Sequence, residues 1–239
     1  MKDEELLKFA DFMDTLAKKN PDYGIDMFFK TPDQVKKDGL AIIHRIEEID
    51  RIMPSSNRSV KGKLSFEKGE LLEELAKKVL NVRNIFSVEE RVECESNEID
   101  LLLQPATNNT IYSRLLPQYL QKDCLVECKN HKKPIDVTLV GKFYSLMRYK
   151  NVKFGFMVSN KEITGKSPWE DAVGLTKKLH LKDDTFIINI TIKMIKDLLE
   201  SDISIISIIK NEVNKIIYHT KFDSHITSHP AETLMKNSV

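Results

Sequence analysis

Glu127 and Lys129 stand two residues apart in the run Cys124-Leu125-Val126-Glu127-Cys128-Lys129, and Asp100 closes the run Asn97-Glu98-Ile99-Asp100, with twenty-six residues between the two acids. In an extended strand, residues two apart share a face. Glu127 and Lys129 then project together, with Cβ atoms about 7 Å apart, while Cys124, Val126 and Cys128 point the other way into apolar packing. Two carboxylates on neighbouring strands are hard oxygen donors, the kind that Mg²⁺ accepts while it keeps several waters and takes other ligands from a substrate phosphate. An ammonium beside them can hold or help deprotonate an attacking water, and it can offset charge building on a phosphorane-like transition state. A solitary Glu-x-Lys would be a surface ion pair of small worth. Here the apolar residues 101–103 follow Asp100 and 124–126 precede Glu127. Such runs read as buried central strands, where charges are seldom left without a partner or a metal. A zinc site from Cys124, Cys128 and His131 fails on this geometry, because zinc ligands must converge.

The elements that must position these groups follow from periodicity. Residues 66–80 place Leu72, Leu75, Ala76 and Val79 on one helical face, with Glu70 and Glu73 beside it, so that a third carboxylate can reach the cluster. Strand-like runs follow at 87–94, 98–104 and 124–129, then a helix over 136–150, a strand over 154–159, a helix over 168–179 and a strand over 185–190. The order αβββαβαβ predicts an α/β fold, a mixed β-sheet flanked by helices. Upstream, Leu6, Phe9, Ala10, Met13, Leu16 and Ala17 stripe a helix over 3–19. A second helix starts at Thr31-Pro32-Asp33-Gln34, where Thr31 is expected as N-cap and Gln34 completes a capping box, and runs to about Met53.

The turn-rich segment 54–59 reads as a linker. Residues 191–218 are Ile/Leu-rich helix with a break and second N-cap at Ser201-Asp202. Periodicity is lost over 219–239, so His219, His225 and His229 read as part of a fraying tail and not as a metal set. The expected organisation is an N-terminal helical region at 1–60 serving packing or oligomerisation, with packing favoured, then a sheet domain at 61–220 and a flexible tail at 221–239.

Composition narrows the class. The 239 residues are 41% apolar and 31% charged with 8 Gly and 8 Pro, which excludes collagen-like, low-complexity and wholly disordered chains. Lys and Arg number 37 against 36 Asp and Glu, so no bulk field advertises a nucleic-acid or membrane partner. The local pattern differs: residues 121–153 hold eight basic and three acidic side chains, whereas 67–100 hold ten acidic and five basic. A basic rim beside an acidic cluster is what backbone phosphates and a metal ion together require, although solvated helix faces would look similar. Lys132 and Lys133 directly follow the Glu-Cys-Lys strand and are the best placed phosphate contacts; Lys142, Tyr144 and Arg148 follow them. The acidic start (Asp3, Glu4, Glu5, Asp11) argues against a secretory leader, and no apolar run approaches the roughly 18 residues of a membrane span. Cys94, Cys124 and Cys128 then read as reduced thiols of a cytoplasmic protein.

The segments GELLEELAKKVL, NEIDLLL and LVECKNHKKPIDVTLVGKFYSLMRYKNVKFGFMVSNKEIT together resemble the core of the PD-(D/E)XK restriction-endonuclease-like superfamily, in its Mrr-type branch. The resemblance covers about residues 66–160, is weaker to about 200 and leaves 1–60 unexplained. It implies that Glu73 is the helix glutamate, Asp100 the metal-bridging aspartate, Glu127 the second metal ligand and Lys129 the catalytic lysine, with the main-chain carbonyl of Cys128 as a further ligand. Glu70 and Glu74 compete for the role of Glu73. Ile99 stands where the superfamily's name has proline. The gap before Glu127 contains PATNNTIYSRLLPQ, longer than a hairpin needs and a candidate substrate-contacting loop.

The resemblance further implies a restriction-endonuclease-like αβββαβ core and a Mg²⁺- or Mn²⁺-dependent endonuclease acting on DNA in prokaryotic restriction or phage defence. A homodimer or higher homo-oligomer is expected because one site makes one nick, and the N-terminal helices are candidates for docking a defence-system partner. Lys132, Lys133, Lys142 and Arg148 are the expected nucleic-acid contacts. The competing readings are a catalytically inactive subunit of the same fold that binds nucleic acid or protein, and a nuclease for RNA or single strands. Retention of all four site residues argues against the first.

Overall fold

Five strands form one sheet in the order β1-β2-β3-β4-β5. They are β1 (Phe86–Cys94), β2 (Asn97–Pro105), β3 (Cys124–Lys129), β4 (Phe154–Ser159) and β5 (Phe186–Thr191). β1–β2 and β2–β3 pair antiparallel, β3–β4 and β4–β5 parallel. Parallel neighbours need crossovers, which are supplied by α5 (Val137–Tyr149) and α6 (Asp171–Asp183). All six residues of β4 are buried, as expected of a strand covered on both faces. The remaining helices are α1 (Asp3–Lys19), α2 (Tyr23–Phe28), α3 (Asp33–Ile52), α4 (Arg58–Leu80), α7 (Ile192–Leu199) and α8 (Ile205–Ile217). This computed structural model describes residues 3–19, 23–94, 97–106, 112, 115–165 and 171–218. The expected tail at 221–239 lies outside them, as does much of the loop between β2 and β3.

The sheet separates two cores. On one face Ile43 and Ile46 of α3, Leu72 and Leu75 of α4, Leu198 of α7 and Ile209 of α8 pack on Leu101, Val126, Phe156 and Ile188. On the other, Val140, Phe143 and Met147 of α5 and Leu179 of α6 pack on Leu125, Met157 and Ile187. α3 therefore shares the first core with the sheet. The mixed sheet flanked by helices is the fold class expected from the sequence. α4 is fixed to α3 by more than apolar contact: the buried Lys68 ammonium donates to both oxygens of Asp50 at 2.8 Å. A buried cation that donates to a bidentate carboxylate sets the rotation of α4 and hence the direction of Glu73.

Three local expectations need correction. Thr31 does not cap α3: the helix follows Pro32 without a side-chain cap, the Thr31 hydroxyl is buried without a hydrogen-bond partner, and Gln34 donates to Asp38 instead. Proline at the N-cap leaves nothing for a capping box to close. Segment 54–59 is no linker, because α4 begins at Arg58, capped by the Asn57 side chain accepting from the Val60 amide at 3.0 Å. The break before α8 lies where expected, but its cap is Ser204, since Asp202 is engaged with Lys30 and Lys36.

Gly155 marks the closest approach of α5 to the sheet. A Cβ there would lie 2.6 Å from Phe143 Cε1 and 2.7 Å from Met147 Sδ, both inside the second core. Gly155→Ala is expected to lower stability by about 1–3 kcal/mol through overpacking, read as a reduced urea midpoint at unchanged slope.

Candidate active site

β2 and β3 stay paired only over three rungs, ending at Leu101↔Val126. Continuing the register places Asp100 opposite Glu127, at the point where the strands part. The parting leaves the Cys128 N–H without a ladder partner, and the Asp100 carboxylate accepts it at 2.5 Å. β3 continues to pair with β4 on its other edge as far as Lys129↔Ser159. The N–H and C=O of a strand residue lie on the same edge, so the Cys128 carbonyl opens on the same gap as its amide.

A second distortion meets the first. Leu101 and Leu103 belong to one core while Ile99 packs in the other, and Val88 and Val92 of β1 divide the same way. The β1–β2 register is intact on both sides, Glu90↔Leu101 and Val92↔Ile99, but the intervening Arg91 has φ 52°. Arg91 is the one described strand residue with positive φ, a conformation that costs a non-glycine residue energy and is concentrated at functional sites. The kink presents Arg91 to α4. Its guanidinium lies 3.1 Å from Glu70 and 3.8 Å from Glu73.

Glu127 and Lys129 project from the same face of β3, as their spacing requires, and are ion-paired. The Glu127 side chain is 13% exposed, and its second oxygen, Oε2, is buried without a hydrogen-bond partner. Burial, and then the charge of Asp100, push the Glu127 pKa up despite Lys129. Burial works against the Lys129 ammonium too, yet the charge and hydrogen bond of Glu127, joined by Asp100, carry its pKa above the usual value. Burial leads the Glu127 shift, and the neighbouring carboxylates outweigh burial in the Lys129 one. Lys129 therefore stays protonated, and Glu127 is the acid that is hard to ionise.

Glu73 joins the same electrostatic group. The Cys128 thiol is pushed well up by burial and then by Asp100, Glu73 and Glu127, so all three carboxylates act on one position. Asp100, Glu127, Glu73 and Glu70 are grouped with Lys129 and Arg91. Among the described residues no three His, Cys, Asp or Glu side chains converge as a ready-made cage. The available donors are instead Asp100, Glu127 and the Cys128 carbonyl. Hard oxygens and an orphaned buried oxygen fit a divalent cation that keeps water ligands.

The expected phosphate contacts are distributed unevenly. Lys132 and Lys133 lie exposed in the loop that leaves β3, three and four residues after Lys129. Lys142 is exposed in the second turn of α5. Arg148 is not brought to the site: it ends α5, about 16 Å along the helix from Val137, and lies 3.5 Å from Asp183, which also accepts from Tyr144. Sequence reasoning missed Arg91 and two asparagines. Asn160 Nδ2 donates to the Asn130 carbonyl at 2.8 Å, and Asn130 Nδ2 donates to the Ser65 carbonyl at 3.0 Å, tying the ends of β3 and β4 to α4. Polar residues just after two parallel strands are a legible signal for such ties; an arginine in the left-handed region leaves none.

A family model described as a restriction endonuclease, the Mrr-type catalytic domain, matches residues 67–190, just over half of the chain. Neither a curated protein nor a solved structure matches it. The matched segment starts on α4 before Glu73, spans the parted strands with Asp100 and Glu127 and ends on β5, and the chain belongs to the Mrr-type restriction endonuclease family of PD-(D/E)XK-like nucleases.

Proposed function

We propose that the protein is a Mg²⁺- or Mn²⁺-dependent endonuclease that hydrolyses phosphodiester bonds of DNA, with a role in prokaryotic restriction or phage defence. The observation that carries this reading is the buried, unpartnered Oε2 of Glu127, the residue that the register sets opposite Asp100 where β2 and β3 part. A binding module gains nothing from burying an acid it cannot neutralise. Asp100, Glu127 and the Cys128 carbonyl would hold the ion, which supplies Lewis acidity to the scissile phosphate when bound.

The chain's own groups do the rest. Lys129, held protonated, is not a base in this state; it orients the attacking water and offsets charge on the phosphoryl oxygens, while Glu127 fixes its ammonium. Arg91, itself paired with Glu70, holds Glu73 at the margin of the centre, where it supports a second ion or the hydration shell. Lys132 and Lys133 take the flanking phosphates, and Lys142 a more distant one. The nuclease unit spans 61–220; the packing of α3 in the first core supports a packing role for the N-terminal region. Cutting both strands calls for two sites and hence a homodimer or higher homo-oligomer. No helix of the described residues is long and apolar enough to cross a membrane, which is compatible with a cytoplasmic setting.

Asp100→Ala and Lys129→Ala are each expected to cut plasmid nicking in Mg²⁺ by about 10²-fold or more while duplex binding persists. Full nicking by either variant, or by wild type in EDTA, would remove the assignment. The raised pKa of Glu127 adds a pH signature. A raised acid contributes stability that is present below its unfolded pKa and lost as pH rises through the folded one, whereas ion uptake needs the ionised form. Mn²⁺ affinity measured by calorimetry should therefore begin to weaken on acidification above the ordinary glutamate pKa of about 4.3. Glu127→Gln should weaken uptake and flatten this dependence; uptake that stays level through pH 5 in wild type would contradict it.

A further inference from the structure

The first turns of α4 break three local rules together. Arg58 opens the helix and Lys61 ends its first turn, where the dipole favours acids, yet no acid stands there. Gly62 weakens the helix interior, and a Cβ in its place would meet nothing within 4 Å, so no packing contact demands a glycine. Phe66 is 64% exposed. No acidic residue occurs between Asn57 and Phe66. Arg58, Lys61 and Lys63 are exposed and carry no ion pair with a described residue, whereas Lys68, Lys77 and Lys78 further along the same helix are all paired. Among the described residues no acid compensates these charges.

They lie on a path to the candidate site. Arg58, Gly62, Phe66, Gly69 and Glu73 succeed one another at intervals of three or four residues and so form one stripe along α4. The stripe reaches the end of β3 through Asn130, which donates to the Ser65 carbonyl at 3.0 Å, and whose Nδ2 a Cβ on Gly69 would approach to 3.3 Å. Asn130 directly follows Lys129. Beyond it stand Lys132 and Lys133, exposed and likewise without an ion pair among the described residues. Unpaired cations thus flank Asn130 on both sides.

We infer that this face of α4 is the track for the phosphate backbone of duplex DNA entering the site, an inference that rests on the nuclease reading above. Arg58 on the stripe and Lys61 and Lys63 on its two flanks contact phosphates, Gly62 lets the backbone approach the helix closely, and Phe66 packs against the sugar or base edge beside the scissile phosphate. At 1.5 Å rise per residue Arg58 lies about 10 Å beyond Ser65, the axial length of roughly three nucleotides at 3.4 Å each.

The test is fluorescence anisotropy of a labelled duplex with the full chain in EDTA over a series of salt concentrations. For the triple variant Arg58→Gln, Lys61→Gln, Lys63→Gln, the slope of log affinity against log salt should shrink by about 2.7 and affinity at 0.1 M salt should fall at least about tenfold. Phe66→Ala should weaken binding at least about fivefold with the salt slope unchanged, because the ring carries no charge. Circular dichroism and the urea midpoint should stay at wild-type values in both. A triple variant with the wild-type slope overturns the track, as does an equal loss in a control neutralised at Lys18, Lys178 and Lys193, exposed cations on other helices. Wild-type protein that neither binds nor cuts duplex DNA overturns the nuclease reading and the track together; wild type that binds and cuts, with a triple variant that does both equally well, overturns the track alone.

Discussion

Two antiparallel strands cannot stay zipped and also hold a cation between them. The candidate site depends on how this conflict is resolved at Leu101↔Val126, where pairing stops and Asp100 takes the Cys128 amide in place of a carbonyl. A strand edge released inside a sheet would leave orphaned main-chain groups. A carboxylate satisfies the amide in place of the missing carbonyl. The substitution works because β3 does not rely on β2 for support: it remains bonded to β4 along its whole length, and β4 is buried throughout. The parallel half of the sheet carries the stability that the antiparallel half gives up.

The charges follow from the same opening. Glu127 is placed where burial and Asp100 both resist its ionisation, and a single lysine cannot satisfy both acids. Hydrophobic packing on the two faces is what allows a fold to tolerate such a group. Lys68, donating to Asp50, adds a fixed point that keeps α4 from rotating Glu73 away. Arg91 then compensates Glu73 and Glu70 at the cost of a left-handed backbone in the middle of a strand. Each device is local, but all of them act near the place where β2 and β3 part.

Much of this was legible in the chain. The alternation around Glu127 and Lys129 correctly separates a polar face from the Cys124 and Val126 face, because the period of a strand is fixed by its pleat. The five strands appear within a residue or two of the expected bounds, since β4 and β5 are continuous apolar runs and α5 and α6 are separated by turn residues. What failed were the features set by neighbours distant in sequence. Thr31 has good capping chemistry but is buried against the core, Asp202 was drawn away by lysines from the N-terminal region, and the helix before Leu64 has no apolar stripe, so nothing marked its start at Arg58. The kink at Arg91 was invisible for a related reason: backbone strain is imposed by the fold and is not written in residue type. Arg148 looked like a phosphate ligand because charge counts along a sequence ignore that a crossover helix runs away from the strand end it follows.

Many local features follow ordinary stability rules: Asn57, Asp136, Thr191 and Ser204 each cap a helix with a side-chain oxygen, and Gly155 sits where a close approach demands it. At the edge where β2 and β3 part, a strand arginine adopts positive φ, a buried carboxylate oxygen lacks a partner, and a helix starts with cations, a glycine and an exposed phenylalanine. These defects are chemically unlike one another, so no single packing problem explains them. A cation would relieve the carboxylate oxygen and a polyanion the basic start of the helix. In the proposed complex a divalent ion and a phosphodiester backbone would supply these two parts.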